Sequence, residues 1–165
     1  IDVNEMQDIV NVDLMGVVFG CRVAMRGMTA QGDGHIYNME GFGSGNEQRA
    51  GLTLYGATKR SVRYLNKALL AEMKGLPVKL SSLSPGIVVT DFLLKNKKAE
   101  TWEKSRKILN ILADPPDVVT SYLARKVLAN ETNGASIAWL TTPKVLWRFL
   151  TAPLSSRDLF SEHDA

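Results

Sequence analysis

Cysteine and histidine are nearly missing from this chain of 165 residues: Cys21 is the single thiol, and His35 and His163 are the two imidazoles. One cysteine excludes an internal disulfide and any cysteine-based zinc cluster. Two histidines so far apart offer no metal site, and none is expected. Within Phe19-Gly20-Cys21-Arg22-Val23 the thiol falls in a helical pattern and reads as a buried structural group. No apolar run reaches the ~20 residues needed to cross a bilayer, and there is no internal repeat or low-complexity tract. The net charge of +3 is spread along the chain, which gives little reason to invoke nucleic acid. The start also lacks the strand, glycine-rich turn and helix whose backbone amides receive a pyrophosphate. The glycines of Gly41-Phe42-Gly43-Ser44-Gly45 come only after a strand, and they read as a flexible or substrate-facing loop.

What is present fits one soluble globular domain or part of one, with 45% hydrophobic and 22% charged residues. Met6, Ile9, Val10, Leu14, Val17, Val18, Cys21, Val23 and Met25 recur at helical spacing and predict a first helix from Val3 to Met28. A short buried strand is expected from His35 to Met39, after the turn Gly32-Asp33-Gly34. The next helix begins near Leu54, runs to Met73 and stops at Gly75-Leu76-Pro77. Val78 to Leu83 forms the second strand, and Asp91 to Ala113 a helical lid. Asp114-Pro115-Pro116-Asp117 breaks the lid and caps a helix from Val118 to Ala129. Asn133-Gly134 then leads into a last strand, Ala135 to Leu140.

Chemistry concentrates at Tyr55-Gly56-Ala57-Thr58-Lys59 and, twenty-five residues on, at Ser84-Pro85-Gly86-Ile87-Val88-Val89-Thr90. A Tyr and a Lys four apart lie one above the other on a helix. The ammonium there can stabilise the phenolate and draw the Tyr pKa down from about 10, making the phenol a general acid near neutral pH. Tyr-x-x-x-Lys alone is weak, because both residues are common in helices. A strand ending at Asn38 before the pair and a strand running into Ser-Pro-Gly after it make the order of motifs specific.

In that order the sequence resembles the short-chain dehydrogenase/reductase family, over roughly residues 4 to 140. The resemblance implies an α/β fold, the C-terminal part of a Rossmann-like doubly wound parallel sheet, with about three strands and flanking helices over residues 1–140. Residues 141–165 are then a C-terminal extension. It implies that the chain is a portion of a longer reductase cut before its fourth helix, any targeting segment lying with the other part. Tyr55 and Lys59 become catalytic and cofactor-binding residues, while Pro85, Gly86, Val88 and Thr90 border the cofactor, NADPH with NADH as the alternative. Two positions depart from the family pattern. Asp13, in Asn11-Val12-Asp13-Leu14-Met15-Gly16, stands in the register of an Asn that holds the Lys and a relay water. Glu40 and Gly41 occupy the register of the substrate-orienting Ser, so that Ser44 is the nearest hydroxyl and the candidate for that role.

The segment Gly34-His35-Ile36-Tyr37-Asn38-Met39-Glu40-Gly41-Phe42-Gly43-Ser44-Gly45 is similar to the chlorophyll(ide) b reductases. So is the tail, Asn133-Gly134-Ala135-Ser136-Ile137-Ala138-Trp139-Leu140-Thr141-Thr142-Pro143-Lys144-Val145-Leu146-Trp147-Arg148-Phe149-Leu150 followed by Arg157-Asp158-Leu159-Phe160. That resemblance implies reduction of the 7-formyl group of a chlorophyll-type tetrapyrrole to 7-hydroxymethyl, in a chloroplast at the thylakoid, by a homo- or hetero-oligomer of related subunits. Trp147, Phe149 and Leu150, beside Lys144 and Arg148, suit either a membrane surface or packing on the domain or another subunit. Two rivals stand: a reductase of another aldehyde or ketone, and a non-catalytic dimerising fragment with an unpaired sheet edge.

Overall fold

A computed structural model describes residues 1–95, 99–155 and 157–161, with the side chains of Phe92, Lys95, Ala99, Glu100, Thr101, Glu103 and Lys104 outside the description. The chain forms two compact units, residues 1–84 with 130–137, and residues 85–129 with 138–165. No helix among the described residues is long and apolar enough to cross a membrane.

The first unit opens with α1 (Val3–Val10), which Asp2 caps by accepting the Glu5 amide at 2.9 Å. The expected single helix is interrupted by a π turn, Asn11–Met15, before α2 (Gly16–Gln31) continues it. Periodicity could not show the turn, because a one-residue widening leaves the apolar pattern on either side intact. Gly32, at φ +86°, closes α2 in the left-handed conformation that a side chain disfavours.

β1 (Gly34–Met39) then pairs in parallel with β2 (Val78–Ser84), Ile36 opposite Leu80 and Asn38 opposite Ser82. β5 (Ser136–Ala138) completes the order β1-β2-β5. Between β1 and β2 lies α3 (Thr53–Glu72), whose Thr58, Val62 and Asn66 recur every four residues and face inward. Cys21, Ile36, Met73, Val78 and Leu80 form the core, fully buried or nearly so. The thiol is thus a core group, as its helical setting suggested. Asn38 crosses this interior, its amide donating to Asn66 Oδ1 at 2.7 Å and to the Cys21 sulfur at 3.1 Å. On the sheet, His35 lies 2.8 Å from the Ser81 hydroxyl and stacks on Tyr37. Burial, then Lys79, pushes its pKa below the ordinary value against the opposing charge of Asp33.

The second unit holds a parallel pair, β3 (Ile87–Val88) and β4 (Ala113–Asp114), with α4 (Asp91–Lys95), α5 (Ala99–Leu112), α6 (Pro116–Leu128) and α7 (Thr142–Thr151). The expected lid is helical at α4 and α5, and its residues 96–98 lie outside the described residues. Two-residue strands and α7 were not anticipated. α6 starts two residues ahead of the expectation because Pro116 fits the first helical position, where its missing amide costs nothing. Asp114, expected to help cap that helix, instead points into a buried cluster. It accepts from Trp139 Nε1 at 2.7 Å, pairs with Arg148 at 2.8 Å and with Arg157 at 2.9 Å. Burial alone would raise its pKa. The hydrogen bonds of Arg148 and Trp139, the charge of Arg148 and the bond from Arg157 outweigh that and hold it below the ordinary carboxylate range.

Candidate active site

Tyr55 and Lys59 sit in the first turns of α3, and the helix places the Lys59 ammonium 5.4 Å from the centre of the Tyr55 ring. Asp13, carried on the π turn, reaches the same ammonium at 3.1 Å, both side chains being largely buried. Asn11, two residues earlier, is exposed and accepts from the Gln7 amide instead. The turn therefore presents Asp13, and not Asn11, to the Tyr–Lys pair.

The electrostatics reverse one expectation from the sequence. Burial, followed by the charge of Asp13, pushes the Tyr55 phenol above its ordinary value, whereas Lys59 alone was expected to lower it. Burial is the larger cause, and the Asp13 carboxylate, 3.1 Å from the Lys59 ammonium, adds to it by offsetting a charge that would otherwise favour a phenolate.

Gly41 supplies the part of the site that a motif search passes over. A Cβ built there would stand 2.6 Å from the Tyr55 hydroxyl and 3.3 Å from Lys59 Cγ, closer than a side chain can approach without displacement. Glycine thus lets the backbone after β1 lie directly against the phenol. The sequence signal was the absence of Ser from its register, which reads as a loss until the distance is known.

Ser44 is 3% exposed. Its hydroxyl accepts from the Gly41 amide at 3.1 Å and donates to the Lys59 carbonyl at 3.2 Å, while its own carbonyl accepts from Arg60 and Arg63 at 3.0 and 3.2 Å. Ser44 therefore ties the glycine loop to α3. Gly43 takes φ +95° and packs on Gly56, where a Cβ would come within 2.5 Å of the Gly56 α-carbon. A cleft of about 730 Å³ opens along the loop, bordered by Phe42, Arg49, Leu52, Gly56, Ala57 and Arg60.

The structure thus brings Asp13, Lys59, Tyr55 and Gly41 together, with Ser44 holding the loop beneath them, all in the first unit. Pro85, Gly86, Val88 and Thr90 belong to the second unit. There Gly86 turns at φ +70° against the Leu140 side chain, and β3 follows at Ile87. Within the first unit, a phenol and an ammonium on one helix face suit the nicotinamide end of a dinucleotide. The glycines after β1 do not suit its pyrophosphate, because Gly41 and Gly43 are spent on contact with α3.

A parallel α/β sheet flanked by helices, with Tyr and Lys one turn apart opposite a glycine-rich strand end, defines a dehydrogenase-type fold and site. The chain belongs to the short-chain dehydrogenase family, whose model matches residues 1–101. It is 35% identical over 161 residues to a chloroplastic chlorophyll(ide) b reductase of Arabidopsis thaliana, covering 95% of this chain and 44% of that protein. It is 31% identical over 149 residues to a probable chloroplastic chlorophyll(ide) b reductase of Oryza sativa subsp. japonica, covering 90% of this chain and 29% of that one. The chain therefore spans less than half the length of these relatives. Among solved structures, the fold is shared with a 3-ketoacyl-(acyl-carrier-protein) reductase from Brucella melitensis complexed with NADH, at a TM-score of 0.67 and 23% identity over 84% of this chain and 57% of that chain. A closed serine dehydrogenase complexed with NADP+ matches at 0.67 and 23%, over 87% of this chain and 58% of that chain.

Proposed function

We propose that this chain carries the catalytic half of an NAD(P)H-dependent reductase that converts the 7-formyl group of chlorophyll(ide) b to 7-hydroxymethyl. The observation that carries the reductive assignment is the Asp13–Lys59–Tyr55 constellation with Gly41 against the phenol. A neutral phenol donates its proton to the alkoxide that develops on a reduced carbonyl, while the reverse reaction would need a phenolate. Burial and the Asp13 carboxylate both oppose phenolate formation, which keeps that proton on Tyr55 for the step. The substrate is proposed from the resemblance of the relatives, whose similarity extends over 95% of the chain.

In this reading Tyr55 protonates the carbonyl oxygen and alone polarises it. Lys59 holds the nicotinamide ribose, and Asp13 positions Lys59 and receives a relay water. Ser44 acts through the loop, keeping Gly41 at the phenol. Pro85, Gly86, Val88 and Thr90 border the nicotinamide and its phosphates. When bound, the reduced nicotinamide supplies the hydride. NADPH is the proposed donor, with NADH as the alternative. We place the protein in a chloroplast at the thylakoid, as an oligomer with like or related subunits.

Titration of the chain with NADPH, followed by nicotinamide fluorescence with circular dichroism as the folding control, tests the cofactor assignment. Saturable binding weakened by Lys59→Ala is expected. A folded chain indifferent to NADPH would confine the enzymatic claim to a longer protein.

A further inference from the structure

α7 is amphipathic with its faces exchanged. Residues Thr141 to Ser155 carry two charges, Lys144 and Arg148, one helical turn apart, and both turn toward the second unit. Arg148 donates to Asp114 and to the Leu112 carbonyl at 3.0 Å, and the Lys144 ammonium rests 2.9 Å from the centre of the Trp139 ring. Arg157 fastens the chain beyond the helix, donating to the Ala113 carbonyl at 2.7 Å and to Asp114 at 2.9 Å. With Lys144 and Arg148 turned inward and Arg157 tied to Asp114, the segment presents Leu146, Trp147, Phe149, Leu150 and Leu154 outward, 61, 66, 46, 76 and 91% exposed. Their exposed neighbours Thr141, Thr142, Pro143, Pro153 and Ser155 are uncharged.

A monomer in water rarely leaves so large a contiguous apolar patch uncovered. Side chains of these sizes and exposures amount to on the order of 600 Å² of apolar surface, short of the ~800 Å² per partner of a stable protein interface. Two copies meeting through this one helix face bury at most that area on each side, whereas lipid closes around an apolar face of any shape. A Trp beside a row of Leu is the composition of a segment lying at a bilayer surface.

We propose that α7 and the turn after it insert into the surface of a lipid bilayer through this uncharged apolar face, with electrically neutral headgroups sufficient for binding. Anionic lipid is not required, because the helix's cations are committed to Asp114 and Trp139. The inference stands on the second unit alone and holds whichever carbonyl compound the protein reduces.

Flotation of the full chain with phosphatidylcholine vesicles in a density gradient tests it. The wild-type chain should float, and should still do so when salt is raised to a level that screens surface charge. Trp147→Glu with Leu150→Glu should lower the floated fraction at least tenfold with an unchanged circular dichroism spectrum. Leu154→Glu, in the turn beyond the helix, gives the same reading should the double change disturb folding. A wild-type chain that stays below the vesicles overturns the proposal. So does binding confined to anionic vesicles and lost in salt, or a concentration-dependent dimer abolished by the same changes, which would make a second copy the occupant.

Discussion

In the proposed reading Asp13, Tyr55 and Gly41 act through charge and distance, and each makes a separate expectation. Asp13 pairs with Lys59 at 3.1 Å, and after burial its charge is the second cause that pushes the phenol of Tyr55 above its ordinary value. Asp13→Asn removes that charge and should bring the Tyr55 titration down, read as ultraviolet phenolate absorbance after subtracting a Tyr55→Phe trace. A group whose folded pKa is raised contributes stability below its unfolded value near 10 and loses it as pH rises through the folded one. The wild-type chain should therefore lose a part of its alkaline stability that Tyr55→Phe does not. Gly41→Ser would restore the hydroxyl of the usual family pattern, yet its Cβ would stand 2.6 Å from the Tyr55 oxygen. The substitution should lower the rate of carbonyl reduction by one to two orders of magnitude, since small misplacements of a reacting group have large effects. A gain in activity would show instead that the loop yields and that a serine is what the site lacks. Ser44→Ala removes both hydroxyl contacts of the loop and should cost about 1 kcal/mol of stability in a denaturant melt.

Helices and strands were legible where a pattern is long and local. The apolar spacing of α2 and α3, the buried run of β2 and the stop at Gly75 announce themselves over many residues, and observed bounds lie within a few residues of those expected. The π turn, the two-residue strands β3 and β4, and α7 were not, for physical reasons. A turn defined by one extra residue has no periodicity of its own, and a strand of two residues is made by its partner across space. Asp114 shows the limit most clearly: Asp-Pro-Pro-Asp reads as a breaker and cap, while its true partners, Trp139, Arg148 and Arg157, lie 25 to 43 residues away. Asp114→Asn leaves two arginines facing a neutral group in a buried site and should cost roughly 3–5 kcal/mol, measured by thermal or denaturant unfolding. The held-down pKa gives a second signature. The contribution is present above the unfolded value near 3.9 and disappears as pH falls through the lower folded one, so the melting difference between wild type and Asp114→Asn should close only in strong acid.

The candidate site was legible in the sequence as Tyr55, Lys59 and their ordered neighbours, and Asp13 was legible as a departure from a pattern. Its charge balance was not, because that depends on a 3.1 Å contact between residues 46 apart. The role of Gly41 was not, because a missing side chain has no signal until something is seen to fill its place. What unites the molecule is the proposal that these residues serve one reduction, on a chain 35% identical to a chlorophyll(ide) b reductase. Chromatographic detection of the 7-hydroxymethyl pigment, formed from chlorophyll b and NADPH under conditions where nucleotide binding is saturable, tests that proposal most directly. The expected result is pigment reduction by the wild-type protein, falling by a factor of about 10²–10⁴ in Tyr55→Phe, the usual worth of a positioned proton donor. Saturable nucleotide binding with the formyl group untouched, or reduction by Tyr55→Phe at the wild-type rate, would contradict it.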